Sequence, residues 1–346
     1  MDKNPVQVSH AHYMRPLDGI RGMACLLVVA SHIVDIAGIN GGHFHNFFGS
    51  FGVLIFFTLS GFLMSALYSH EAFSFDSVAK YSIARFTRIA PAYWIAVLFM
   101  VLVCAVLPVP PYDMSAFNIL RSVFFAGNQG ILWSIPPEVQ FYVFFIGLWF
   151  SWARYRAGDK RWLVLMSILC VGLIATKSMW GGLMLPSKLH IFLGGFITAL
   201  LIKNERIKTY LHNIYAQIGL SILILSYMKF LMPIDGMYKD LILPAGVALW
   251  IASMSGSSLF TKPFETMTMR TMGAASFSIY LLHDSILKIM GGTGLLFKGM
   301  PLANAAILCV LSLAPPVAFH YMVEKKLNIW SKKKLLDQLA LFEIRG

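Results

Sequence analysis

Ten apolar stretches recur along this 346-residue chain, near 17–38, 47–68, 91–108, 135–152, 162–178, 186–203, 212–230, 241–256, 273–292 and 302–323. A helix needs about 20 apolar residues to cross the hydrocarbon of a bilayer. Inside lipid the backbone must bond to itself, and a continuous apolar run does so as a helix. The runs therefore predict an all-α protein, a polytopic transmembrane helical bundle of ten spans. Several runs are short enough to require tilted or broken helices, and 109–132 leaves room for a re-entrant piece. Composition agrees: 58% of residues are hydrophobic and 13% charged, about half the charged share of a soluble domain. Mean hydropathy is +0.69. No block of domain size looks soluble, so residues 1–324 read as one transmembrane domain and 325–346 as a basic cytoplasmic tail.

The net charge of +12 raises the question of nucleic acid. The basic residues, however, sit in short clusters between apolar runs, which is a topology signal rather than a binding stripe. Counted alternately across the loops, the segments on the N-terminal side hold 21 Lys and Arg and the opposite loops hold 7. The positive-inside rule then places both termini in the cytoplasm and favours an even number of spans. Lys332, Lys333 and Lys334, ahead of an amphipathic stretch, are expected to lie on the anionic inner leaflet. The N-terminus is polar for about fifteen residues, so no cleavable signal peptide is expected. The four cysteines fall in separate apolar runs without paired spacing, so neither a disulfide framework nor a metal site is expected of them.

Ionisable residues within spans are costly and mark function by default. In the first span, Arg21 follows Asp18 by three residues, so the two share a face. His32 lies eleven residues beyond Arg21, nearly on the same face and about 16 Å along the axis. Asp35, one turn further, is placed to orient the imidazole. The bland alternative is a histidine satisfied by a neighbouring helix. Arg85 and Arg88 lie three apart before Pro91, on the cytoplasmic side. Their guanidinium forks suit phosphate oxygens, and they suit equally a positive-inside anchor with interfacial Tyr93 and Trp94. The fourth span opens with Trp133, Pro136, Pro137, Glu138, Gln140 and Tyr142. Glu138 falls in its first turn, extracytoplasmic by this topology, and reads either as a capping acid or as part of a sugar-hydroxyl site. His283 lies near mid-depth in the ninth span. No HxxxH or HExxH pairing accompanies it or His32, so no metal is expected.

In these residues the chain resembles the acyltransferase-3 family of membrane acyltransferases, which decorate bacterial lipopolysaccharide, capsule and exopolysaccharide. The segments run in order: Arg15-Pro16-Leu17-Asp18-Gly19-Ile20-Arg21-Gly22 with His32, then 52–63 with its Thr58-Leu59-Ser60-Gly61-Phe62 core. Arg85, Arg88, Pro91 and Tyr93 follow, then Trp133-Ser134 with Glu138, Gln140, Phe141 and Tyr142, and finally the Ser276-to-His283 segment. The resemblance implies transfer of an acyl group, expected to be acetyl, from cytoplasmic acyl-CoA to a hydroxyl of a glycan or lipid-linked glycan outside the bacterial inner membrane. It maps the family's arginine–histidine signature onto Arg21 and His32, and its donor-binding arginines onto Arg85 and Arg88. His32 becomes general base or transient acyl carrier, Asp35 holds its tautomer, and Arg21, Arg85 and Arg88 bind the acetyl-CoA phosphates. Glu138, with Trp133, Gln140, Tyr142 and His283, holds the acceptor. Two departures stand out. The family's paired acids before the glutamine appear here as Glu138-Val139, and its Glu-Lys-Pro appears as Glu324-Lys325-Lys326, expected to alter only a helix end.

The residues alone also admit a secondary transporter, for which ten spans and mid-membrane polar groups are equally apt. A transporter has no reason to set an arginine pair on one side and Glu138 on the other. The load of intramembrane charge argues against a purely structural subunit, and a lipid-linked sugar transferase would show acidic loop motifs that are missing.

Overall fold

The computed structural model describes residues 14–39, 44–232 and 236–345. The polar N-terminal segment lies outside them up to residue 13. The described residues fold as helices α1 Arg15–Ile36, α2 Phe44–Tyr68, α3 Phe75–Val106, α4 Ala116–Val123, α5 Ile135–Arg156, α6 Arg161–Ala175, α7 Leu189–Leu201, α8 Glu205–Leu211, α9 Ile214–Phe230, α10 Ile242–Met254, α11 Lys262–Glu265, α12 Met267–Ala274, α13 Ser276–Gly292, α14 Pro301–Phe319 and α15 Lys325–Arg345, with no strand among them. Each of the ten apolar runs is helical. Five helices are long and apolar enough to cross a membrane, or six if α8 and α9, bent by 65°, form one broken span; α6, α7 and α10 are apolar but shorter. The protein is thus an integral membrane helical bundle, with fewer long apolar helices than the ten spans expected.

One boundary differs from the sequence reading for a physical reason. The third span was expected to open at Pro91, but α3 begins sixteen residues earlier, at Phe75. Its start is marked by Ser74, whose hydroxyl accepts from the Ser77 N–H at 3.1 Å, and by Asp76 in the first turn. Pro91 removes one helical bond without ending the helix, because neighbouring helices hold both halves. Arg85 and Arg88 are therefore well inside a 32-residue helix rather than in a loop. Segment 109–132 contributes the eight-residue α4, with a single turn of 3₁₀ helix at Gly130–Ser134 leading into α5. At 324/325, the expected boundary between membrane domain and tail, the helix is continuous. A π-helical turn, His320–Glu324, joins α14 to α15, and Pro301–Leu341 runs as one 41-residue helix. Pro315 and Pro316 inside α14 withdraw two amide donors just before that turn, which loosens the regular bonding there.

α2 is the hub, flanked by α1 and α7, while α13 lies against α1 and α14 and α3 lies against α13 and α15. An aromatic wedge fills the centre. Phe192 of α7 stacks on Phe141 of α5 at 4.4 Å and meets Phe57 of α2 at 4.8 Å between ring centroids. Lipid is as apolar as the side chains, so helix association depends on close van der Waals packing over small residues. Gly61 of α2 and Gly195 of α7 supply it where those two helices cross. A Cβ at Gly195 would sit 2.0 Å from the Thr58 carbonyl oxygen, and one at Gly61 would sit 1.9 Å from that of Phe192.

Gly195→Ala should therefore force α2 and α7 apart, at a cost of about 1–3 kcal/mol, and lower the melting temperature in detergent. Gly219→Ala, whose Cβ meets nothing within 4 Å, is the matched control and should leave it unchanged or higher.

Candidate active site

A cavity of ≈620 Å³ opens between α1, α2, α3, α5, α13 and α15, and its lining includes Arg21, Arg85, Arg88, Ser60, Glu138, Tyr142 and Tyr280. Two helices remote in sequence, α1 with Arg21 and α3 with Arg85 and Arg88, thus bring the expected arginines together. Their electrostatic situations differ. Arg21 pairs with Asp18 at 3.6 Å, the i,i+3 pair read from the sequence. Arg88 donates to Glu324 Oε1 at 2.8 Å, and that carboxylate is 2% exposed. Its second oxygen, Oε2, accepts from Ser278 Oγ and, at 2.8 Å, from His320 Nδ1. Arg85 is the exception. Its guanidinium lies over the Tyr68 ring at 5.6 Å and the Tyr142 ring at 5.9 Å. It donates once, to Tyr68 Oη at 3.2 Å. Its Nε is buried without a partner, and among the described residues no carboxylate lies within ion-pair distance of it. A buried cation without a counter-charge is costly. An anionic ligand entering the cavity would supply one.

Glu138 was expected on a separate, extracytoplasmic acceptor surface. It instead faces the same cavity as the arginines, where its Oε1 accepts from Ser60 Oγ at 2.9 Å and from Tyr142 Oη at 2.7 Å. Tyr142, expected to touch the acceptor, bridges Glu138 to the Arg85 guanidinium. Gln140 does not reach the cavity. Its side-chain amide donates to the Leu183 carbonyl at 3.0 Å and accepts from the Leu185 N–H at 2.8 Å, strapping down the segment before α7. Trp133 packs edge-on against Tyr238 at 5.6 Å, away from the cavity lining.

His32 does not line that cavity. It lies near the far end of α1, beyond a layer formed by Tyr280 and Phe56, whose rings are 6.1 Å apart. The Tyr280 hydroxyl is tied to Ser134 Oγ at 2.8 Å and donates to the Ile131 carbonyl at 3.2 Å. The His32 side chain is 39% exposed, and its Nδ1 stands 3.8 Å from Oδ1 of Asp284. The carboxylate facing the imidazole is therefore Asp284 of α13, whereas Asp35, expected in that role, is exposed. Asp284 is itself held, its Oδ2 accepting from Tyr112 Oη at 3.0 Å and lying 3.3 Å from Lys288 Nζ. His283 also differs from expectation. It is fully buried, so it faces His32, with ring centroids 5.2 Å apart, rather than a solvated acceptor groove. Its Nδ1 contacts the carbonyls of Ile279 and Tyr280 at 3.0 and 2.8 Å. Carbonyls only accept, so Nδ1 carries the proton and Nε2 is left as an acceptor. That Nε2 is buried with no hydrogen-bond partner.

The sequence reading passed over three of these residues. Asp284 closes the Ser276-to-His283 segment, and a carboxylate directly after an intramembrane histidine was a legible signal. Glu324 was read as a helix end, although it is an acid at the close of an apolar run. Ser60 carries no charge and had no signal beyond its segment. Among the described residues, no three His, Cys, Asp or Glu side chains gather as a metal ion would require.

Comparison with known proteins supports the same region of the chain. Proteins of Staphylococcus aureus strains MSSA476, MRSA252 and COL, each named "Putative O-acetyltransferase", are 25% identical to it over 80% of its length. The chain spans about half the length of these relatives, 51%. No solved structure matches it. Residues 15–321 match the family description "Acyltransferase domain", a stretch that takes in Arg21, Arg85 and Arg88 and the His32, His283 and Asp284 cluster, and the chain belongs to the acyltransferase-3 family.

Proposed function

We propose that this protein is a membrane O-acyltransferase. It takes an acyl group, acetyl in the simplest case, from acyl-CoA on the cytoplasmic side and delivers it to a hydroxyl of an extracytoplasmic glycan. The observation that carries this reading is Arg85, a half-buried arginine whose Nε is enclosed without a partner and which has no carboxylate of its own, set in a cavity beside Arg21 and Arg88. Phosphate oxygens match that geometry and charge. The excess of Lys and Arg on one set of loops puts both termini, and the mouth of this cavity, in the cytoplasm of the bacterial inner membrane. We keep ten spans as the working topology, the shorter helices crossing as tilted or broken elements.

In this reading the diphosphate of the donor sits at the arginines and the pantetheine arm runs inward past Glu138 and Ser60. The thioester reaches the Tyr280 layer. The acceptor hydroxyl arrives at His32 from the other side. His32 takes the hydroxyl proton, the oxygen attacks the thioester carbonyl, the carbon–sulfur bond breaks, and the coenzyme A thiolate leaves and recovers the proton. Asp284, 3.8 Å from His32, stabilises the imidazolium as it forms, the part an acid plays in a Ser-His-Asp arrangement. His283, whose ring centroid lies 5.2 Å from that of His32 and whose Nε2 has no partner, offers a second acceptor for the same proton. Division between two faces suits the substrates, since acyl thioester is available inside and the glycan is finished outside.

Transfer of labelled acetyl from acetyl-CoA in membrane vesicles tests the base. His32→Ala should lower the rate by about 10²–10⁴-fold, and full activity in that variant would end the assignment. Asp284→Asn should cost about tenfold or more, whereas Asp35→Asn should stay within about twofold; the opposite order would return the orienting role to Asp35. In cells, surface glycans with the intact gene should be heavier by about 42 Da per site than those without it, the mass of an added acetyl.

A further inference from the structure

The C-terminal helix was expected to rest on the membrane surface, yet it walls the cavity. α15 packs against α3, the helix of Arg85 and Arg88. Lys325, Asn328 and Lys332 line the same ≈620 Å³ space as the arginines. Their spacing of three and then four residues puts all three on one helical face. Lys326, Lys333 and Lys334 lie on other faces and are not among the lining residues. A merely topological basic tail would not sort its lysines this way. The tail is also fixed at its root, because Glu324, directly before Lys325, is bonded to Arg88, Ser278 and His320.

The charge balance of the cavity says what this face is for. Arg21 and Arg88 are each matched by a carboxylate, Asp18 and Glu324. The cations left over are Arg85, close to Arg88 on α3, Lys325, directly after Glu324, and Lys332, further out along α15. Neither lysine has a carboxylate within ion-pair distance among the described residues, and Lys325 has only the Tyr321 ring nearby, at 5.9 Å. Lys332 lies eight residues past Glu324, about 12 Å along the axis from the level of Arg88. Positive charge therefore stands at two depths, in the order in which a coenzyme A thioester carries negative charge. Its diphosphate lies between the thioester arm and the nucleoside, and its 3′-phosphate lies at the outer end with about −1.5 to −2 charge.

We propose that the Lys325, Asn328 and Lys332 face of α15 is the subsite for the 3′-phosphorylated nucleotide end of the donor. This rests on the acyl-CoA reading above and extends it. The C-terminal helix then selects coenzyme A thioesters over acyl groups carried on a bare pantetheine arm or a dephosphorylated nucleotide. Lysine recognises the phosphate as a point charge, which suits an exposed mouth where the ligand end is mobile.

The test is calorimetric binding of coenzyme A and of 3′-dephospho-coenzyme A to the full-length protein in detergent. The wild-type protein should prefer coenzyme A by about tenfold or more, as expected for a charge-assisted contact. Lys325→Ala with Lys332→Ala should bring the two ligands within about twofold of each other, and the triple change of Lys326, Lys333 and Lys334 to Ala should preserve the preference. Melting temperatures establish that all variants are folded. Equal binding of both ligands by the wild type, or a preference unaltered by the double change or lost in the triple one, would overturn the subsite and leave the donor reading standing. Failure of the wild type to bind either ligand would overturn the donor reading itself, and the subsite with it.

Discussion

A charge placed among apolar helices must be matched, and the structure is arranged around that requirement. Glu324 shows it most directly. It is nearly inaccessible, and its two oxygens are shared among Arg88 on α3, Ser278 on α13 and His320 one turn back. One carboxylate thus ties together three elements far apart in sequence and fixes where α15 leaves the bundle. Taking both ions out of water makes such a pair a poor source of net stability, but removing one partner strands the other. Its contribution is specificity. Arg88 is held in one place and α15 is held against the cavity.

Against that background the unmatched groups stand out. Arg85 has aromatic faces and a tyrosine hydroxyl but no carboxylate, and His283 keeps a buried ring nitrogen without a partner. Most buried polar atoms in folded proteins are satisfied, so each exception asks for a reason. Arg85 lines the cavity that Tyr280 and Phe56 also line, and His283 lies 5.8 Å from the Tyr280 ring. One is suited to an anion and the other to a proton.

Much of this was legible in the chain. The apolar runs each fell on helix, because the cost of leaving backbone groups unbonded in lipid makes hydropathy a strong signal, whereas α15 lies outside them all. Arg21 and Asp18 were paired correctly from their spacing, since partners within one helix need only its geometry. Pro91 misled. As a helix breaker it suggested a boundary, yet within a packed bundle its lost bond is tolerated, and the true start was signalled by Ser74 and Asp76. Asp35 misled for a related reason. It is one turn from His32 in sequence, but a neighbour on the same helix need not point the same way, and the carboxylate that meets the imidazole comes from α13.

The sequence by itself determined that the chain is helical, that it belongs in a membrane, and which ionisable residues the bilayer would have to accommodate. These follow from local chemistry, from the length of an apolar run and the energetic cost of a charge within it. Only the tertiary structure decided which charges meet. It placed Glu138 in the arginine cavity and set Asp284 at His32. It tied Glu324 to Arg88 and turned one face of the terminal helix inward. Contacts between helices depend on how each is rotated about its axis, and that rotation is set by packing such as the Gly61 and Gly195 crossing, which no single helix encodes.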